Sequence, residues 1–337
     1  MTHRKNLPWI EKYRPRKINK IVGQKTIIRT LNNSIKTYNL PHLLLYGPPG
    51  CGKTSTAIAI SFQLFGPKLF KERVLELNAS DERGIKIVRE KIRLFAKKAL
   101  NTKIDPEYRK KYPCPPYKII ILDEADAMTD DSQFALRRII ELYSSITRFF
   151  LICNYVTRII EPLTSRCAKY RFKSISNKNI NNIINNICKK ENVKTNELIN
   201  EKIISNSDGD LRKGITLLQR VAYLDNKNIK LETVNKVQGN ISQKKIKKFI
   251  NKIKSSKDCS NIYELVKRFL LFGFSGNQIL NDIKNYIVND DSLDDLKKSL
   301  IFINMSTTDL YLNNSGDEHI QLLNLMTSLR QIYNNNY

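Results

Sequence analysis

YGPPGCGKTS, residues Tyr46 to Ser55, is the stretch on which the reading of the whole chain turns. Inside it the pattern G-x-x-x-x-G-K-T runs from Gly47 to Thr54. Glycine enters backbone conformations that let successive N–H groups converge on one phosphate. Lys53 then brings a compact positive charge to the β- and γ-phosphates of a nucleoside triphosphate, and the Thr54 hydroxyl holds Mg²⁺. Gly47, Pro48, Pro49, Gly50, Cys51, Gly52, Lys53, Thr54 and Ser55 are the expected ATP cradle. Such a loop needs a strand before it and a helix behind it. HLLLY (His42 to Tyr46) is a short apolar run, and TSTAIAISFQLF (Thr54 to Phe65) is free of Gly and Pro. That second run suits a helix whose N-terminus faces the phosphates. A Gly- and Pro-rich surface turn accounts for neither flank.

Four further stretches complete a triphosphate site. KIIILDEAD (Lys118 to Asp126) ends an apolar run on carboxylates. Asp123 at the strand end holds Mg²⁺ through water, and Glu124 orients or deprotonates the attacking water. RFFLICN (Arg148 to Asn154) ends on a polar residue, and tips of parallel strands share one ligand-binding edge. Asn154 is therefore placed to bond the γ-phosphate or the water. In RIIEPLTSRCAKYRF, Arg166 lies in a polar turn, either an ordinary surface Arg or an arginine finger. SDGDLRKGITLLQ reads as a helix capped by Asp208 or Asp210, with Arg212 in its first turn and able to reach ATP.

The chain has 337 residues, enough for two or three domains. Hydrophobic residues make up 41% of it, as expected of a folded protein, and the formal charge is +26. Nucleic acid is the natural partner of such a surface, although runs such as NNIINNICKK also reflect a general taste for Asn, Ile and Lys. The six cysteines form no C-x-x-C pair, so zinc is not expected and reduced thiols are. Neither a signal peptide nor a membrane-spanning run is expected. Up to about residue 175, strand-like runs (Arg73 to Asn78 and Lys169 to Lys173 among them) alternate with helical ones at Lys86 to Leu100 and Asp131 to Tyr143. Beyond it the patterns are helical, including YELVKRFLLFGF and HIQLLNLMTSLRQIY. The expected architecture is α/β: a nucleotide-binding domain over 1–175 with a parallel sheet, a small helical domain over 176–240 and an all-helical domain over 241–337.

Together WIEKYRP (Trp9 to Pro15), YGPPGCGKTS, LELNASDERGI, PCPPYKIIILDEADAMT, FALRRIIE, LICNYVTRIIEPLTSRC and GDLRKGITLLQ closely resemble small subunits of the eukaryotic clamp loader, replication factor C. The subunit-four type of animals is the nearest pattern. The resemblance runs from about residue 8 through the small helical domain and resumes in GDEHIQLL; Asn101 to Tyr112 departs from it in composition. It implies an AAA+ P-loop domain followed by a helical lid and a helical collar. It also implies a heteropentamer with four other replication factor C subunits, acting in the nucleus. ATP and Mg²⁺ drive the opening of the sliding clamp, PCNA, and its loading on primer-template DNA. Tyr13, Arg14 and Val22, with their neighbours, are implied around the adenine. Arg166 is implied to act in trans, on the ATP of the adjoining subunit. A hexameric branch-migration ATPase of Holliday junctions shares the ATP motifs and is the alternative. It is not expected to carry the SRC turn or the collar.

ERGIKIVREKIRLFAKKAL fits an amphipathic helix with Val88, Ile92, Phe95 and Ala99 on one stripe and Lys86, Arg89, Arg93 and Lys97 on another. By composition alone the basic stripe is as readily a solvated face. The resemblance implies that it follows DNA phosphates, with Arg83 as a further contact, so Arg83, Lys86, Arg89 and Arg93 are the DNA-binding candidates. Phosphate contacts carry no base code, which suits loading at any sequence. The following stretch, Phe95 to Tyr112, is implied to reach the clamp, and Arg137 and Arg138 to couple DNA to the ATP site.

Overall fold

The computed structural model describes residues 7–37, 39–80, 85–98, 104–239, 241, 243–256 and 258–334, the side chains of 85–89, 238 and 243 excepted. Five strands, β1 (Leu43–Tyr46), β2 (Val74–Asn78), β3 (Lys118–Asp123), β4 (Thr147–Cys153) and β5 (Ala168–Arg171), form one parallel sheet in the order β2-β3-β4-β1-β5. Each lies within two residues of its expected position. Alternation along the strands sorts their side chains between two cores. Leu43, Leu45, Ile119, Ile121, Phe150 and Ile152 enter one; Leu44, Ile120, Leu122, Phe149 and Leu151 enter the other. With both faces covered, the inner strands β1, β3 and β4 must be almost continuously apolar. The edge strand β5 carries Lys169 and Arg171 exposed, which blunts the edge against further pairing.

Around the sheet lie α1 (Trp9–Lys12), α2 (Lys25–Lys36), α3 (Lys53–Arg73), α4 (Ile85–Lys97), α5 (Pro106–Lys111), α6 (Asp130–Tyr143) and α7 (Glu161–Thr164). The first core takes Leu31 and Ile35 from α2 and Ile58, Leu64 and Phe65 from α3. The second takes Ile92 from α4, Leu136 and Ile140 from α6 and Leu163 from α7. Helix α3 runs past its expected end at Phe65 by breaking at Gly66, φ 63°. The break leaves a carbonyl and an N–H without helical partners. Tyr108 of α5 serves both: its hydroxyl donates to the Phe65 carbonyl at 2.9 Å and accepts from Lys68 N–H at 3.1 Å. A methyl on residue 66 would overlap that hydroxyl. The stretch whose composition departs from the replication factor C pattern thus supports the helix behind the phosphate loop.

Three more helices complete this unit: α8 (Asn177–Glu191), α9 (Glu197–Ser205) and α10 (Leu211–Leu224). The Asn-rich α8 is held by Ile180, Ile184 and Ile187, one buried stripe at helical spacing. The second compact unit, Lys230–Tyr337, contains α11 (Leu231–Gln238), α12 (Gln243–Ser255), α13 (Cys259–Leu271), α14 (Gly276–Val288), α15 (Asp295–Asn313) and α16 (Glu318–Asn334). Its core joins Phe249, Ile262, Ile283, Ile301 and Met326. The expected α/β class with helical domains behind it is what the chain adopts. No described helix is long and apolar enough to cross a membrane.

His42 precedes β1 and accepts Phe149 N–H at Nδ1, 3.1 Å. Burial, and then the nearby Arg148 charge, lower its pKa to about 4. The unfolded chain therefore binds this proton at higher pH than the fold does. The contribution is complete above pH about 6.5 and is lost as pH falls toward 4. A His42→Asn chain is expected to lose stability less steeply than the parent over that window, measured by urea unfolding at a series of pH values.

Candidate nucleotide site

Gly47, Gly50 and Gly52 all have positive φ, at 141°, 67° and 97°. These are conformations that side chains resist, and at Gly47 and Gly50 space forbids them too. A methyl at Gly47 would overlap the Phe172 carbonyl, and one at Gly50 the Asp210 carboxylate. Gly52 caps α3, so the loop ends on free helix N–H groups that attract anions. Lys53 is buried, and its Nζ donates to the Gly47 and Pro48 carbonyls at 2.7 and 2.8 Å and to Asn154 Oδ1 at 2.9 Å. Burial lowers its pKa, while the Cys51 and Asp123 groups oppose the shift. The pairing with Asn154 follows from strand order: β4 neighbours β1, so their C-terminal ends meet.

Thr54 Oγ1 donates to Asp123 Oδ2 at 2.7 Å. Two oxygen donors therefore face one point beside the loop, the donor chemistry that Mg²⁺ selects. Asp123 Oδ1 accepts Glu124 N–H at 3.0 Å, and Glu124 is held in the left-handed region, φ 53°, with its side chain exposed. Asp126 Oδ2 accepts the N–H groups of both Asn154 and Tyr155, at 3.0 and 3.1 Å. It thereby fixes the turn that carries Asn154. The last carboxylate of DEAD was in view in the sequence, but its partner lies 28 residues away.

Around the loop, Arg14 Nε donates to Ser55 Oγ at 3.4 Å, and the Tyr13 hydroxyl donates to Glu191. Val22 precedes Gly23, where an added methyl would just touch Ile175 and Asn179, and one at Gly52 would just touch Ile21. Gln24 exchanges hydrogen bonds with the Lys173 backbone, 2.7 Å outward and 3.3 Å inward, so its amide anchors this segment. Of the two caps considered for α10, Asp210 is the one used: its Oδ1 accepts from Arg212 and Lys213 N–H at 2.8 and 3.3 Å. The same carboxylate abuts Gly50, which brings α10 to the loop; the Arg212 side chain is exposed.

Arg166 stands apart from these residues. Its Nη2 pairs with Glu141 Oε1 at 2.5 Å and its Nη1 donates to the Pro162 carbonyl at 2.7 Å. Arg137 Nε reaches the same Glu141 oxygen at 3.1 Å. The Arg137 hydrogen bond first, and the Arg166 charge after it, hold the Glu141 carboxyl below its ordinary pKa. Buried Gln133 ties α6 to the loop before α7, donating to Arg158 O at 2.9 Å and accepting Ile160 N–H at 2.9 Å. Among the DNA candidates, Arg83 lies outside the described residues, as do the side chains of Lys86 and Arg89, whose backbone belongs to α4. Arg93 and Lys97 are exposed on α4. Ile92 and Ala96 are buried and Phe95 half-buried. Ala99 and the Val88 side chain, also assigned to the apolar stripe, fall outside the described set.

Three family models match the chain. Residues 43–175 match the ATPase family associated with various cellular activities, AAA; 182–222 match the RCF1/5-like AAA+ ATPase lid domain; 241–328 match the replication factor C C-terminal domain. Replication factor C subunit 2 of Saccharomyces cerevisiae is 48% identical, covering 96% of this chain and 93% of its own length. Replication factor C subunit 4 of Homo sapiens is 44% identical over 97% and 89% respectively. The replication factor C small subunit of Archaeoglobus fulgidus is 40% identical over 93% and 94%. Among solved structures, the RuvB Holliday junction branch migration motor of Thermotoga maritima superposes with a TM-score of 0.51 at 19% identity, covering 72% of this chain and 79% of its own. At that identity the likeness speaks for the fold alone.

Proposed function

The chain belongs to the replication factor C small-subunit family of AAA ATPases, and from that premise we propose that it hydrolyses ATP within a heteropentameric clamp loader in the nucleus. The work done is the opening of the PCNA sliding clamp and its loading onto primer-template DNA. The observation that carries this reading is the meeting of Lys53, the Thr54–Asp123 pair, Glu124 and Asn154 at one sheet edge, in a chain alike along its whole length to replication factor C subunits. In this reading 1–175 is the ATPase domain, 176–240 the lid and 241–337 the collar through which subunits assemble.

Each residue then has a task. The loop N–H groups and Lys53 hold the phosphates, and Lys53 exchanges its carbonyl and Asn154 partners for phosphate oxygens. Thr54 and Asp123 hold Mg²⁺, which when bound neutralises charge on the β- and γ-phosphates. Glu124 takes the proton of the attacking water, and Asn154, fixed by Asp126, orients that water or the γ-phosphate. Arg212 approaches from the lid, on a helix already seated against Gly50 through Asp210. Tyr13, Arg14 and Val22 bound the base. Arg83, Lys86, Arg89 and Arg93 follow DNA phosphates, and contacts of that kind are shared by all sequences.

Purification of the tagged chain from its native cell, followed by ATPase assays with primer-template DNA and clamp, tests this reading. Four related subunits are expected to co-purify, with ATPase raised by DNA and clamp together. A homo-oligomer indifferent to the clamp overturns the proposal in favour of a branch-migration motor.

A further inference from the structure

Glu191 is the last residue of α8, where a carboxylate meets the negative end of the helix dipole. Asn192 follows with φ 55°, and Val193 N–H closes the helix on the Cys188 carbonyl. The cap therefore makes no use of Glu191, and its compensation comes from far along the chain. The Lys12 ammonium and the Tyr13 hydroxyl both donate to Glu191 Oε1. Only 14% of the Glu191 side chain is exposed. Burial pushes its pKa up, but the bonds from Lys12 and Tyr13 outweigh burial and hold it below the ordinary value. The Lys12 and Lys190 ammonium groups also lie 5.6 and 5.5 Å from the centre of the Tyr13 ring.

The flanking residues of this segment are tied elsewhere. Arg14 reaches Ser55 in the first turn of α3. Trp9 N–H donates to Gln219 Oε1 of α10 at 2.9 Å, and its buried ring lies 6.1 Å from that of Tyr223. Residues 9–14 thus run from the lid helices α8 and α10 to the helix behind the phosphate loop.

We propose that Glu191 is a positioning residue for the nucleotide base: by anchoring Lys12 and Tyr13 it holds the Trp9–Arg14 segment against the lid, so that the wall of the adenine pocket is set by the lid. This rests on the ATP reading above. Glu191 acts through Tyr13 and Arg14. Its loss weakens recognition of the base while leaving phosphate recognition at Lys53 intact.

The test compares ATP with inorganic triphosphate, which lacks the base, by calorimetric titration of the full-length chain in Mg²⁺. Trp9 is the sole tryptophan, so its emission reports whether the segment stays docked. Glu191→Ala is expected to weaken ATP binding about tenfold, the scale of a lost charged hydrogen bond, with a red-shifted Trp9 emission. Triphosphate affinity is expected to be unchanged. Glu191→Gln, which still accepts from Tyr13, is expected to fall between, and it carries the test if Glu191→Ala fails to fold. Equal loss of ATP and triphosphate affinity, or no loss of either, overturns the proposal. If the parent chain itself binds ATP no better than triphosphate, or Lys53→Ala leaves both affinities untouched, the underlying ATP reading falls with it.

Discussion

Replacing Arg166 by Ala in the assembled complex is expected to leave ATP binding at this chain's own site unchanged and to slow hydrolysis at the adjoining subunit's site by about 10³-fold or more. The geometry separates the two effects. Arg166 bonds Glu141 and the Pro162 carbonyl, neither of which belongs to the phosphate loop. Its side chain is about one-third exposed, at the turn that follows α7. An ion pair in such a setting is weak, because water competes with it. Arg166 can therefore leave Glu141 for a γ-phosphate, which offers more charge and a geometry that the guanidinium fork matches. Arg137 remains on Glu141 when Arg166 departs, so the carboxylate is not left unpaired. Single-turnover hydrolysis and nucleotide binding, measured on complexes in which one subunit at a time is altered, check the result. Arg166→Lys keeps the charge without the fork and is expected to restore only part of the rate. Loss of binding at this chain's own site would place Arg166 in cis and sink the assignment.

Glu124→Gln is expected to lower hydrolysis at this chain's own site by about 10² to 10⁴-fold while ATP still binds. The substitution is nearly isosteric. The Glu124 backbone N–H keeps its bond to Asp123 Oδ1, so the left-handed turn at φ 53° and the Thr54–Asp123 pair are preserved. What is lost is a group able to accept the proton of water. Lys53→Ala gives the contrast, since it removes the cation that holds the phosphates and is expected to fail in binding. Equilibrium binding of a fluorescent ATP analogue, set beside single-turnover rates, separates these outcomes. A Glu124→Gln chain that loses binding as severely as Lys53→Ala would show that Glu124 holds the nucleotide instead of serving the water.

Much of this molecule was legible in its sequence. The five strand-like runs became five strands, and the continuous hydrophobicity of the inner strands β1, β3 and β4 reflected two covered faces. The glycines of Gly47 to Thr54 announced a cradle, since positive φ at three positions admits little else. The isoleucines of α8 marked its buried stripe despite a composition dominated by Asn. These features are written in short-range terms: backbone freedom, strand alternation and helical periodicity.

The polar partnerships were not legible. Strand order alone puts Asn154 against Lys53 and makes the turn held by Asp126 part of the site. Tyr108 looked like one residue of a divergent insertion until the break at Gly66 supplied it with a carbonyl and an N–H. No motif singled out Glu141 or Glu191; in the fold the first holds Arg166 and the second Tyr13. The sequence by itself determined the α/β class, the phosphate loop and the chemical identity of its acids and bases. Tertiary structure alone decided which charge meets which. Hydrophobic burial is non-directional and repeats with local period, so it can be read along the chain, whereas a hydrogen bond exists only where the closed fold brings a donor and an acceptor within about 3 Å.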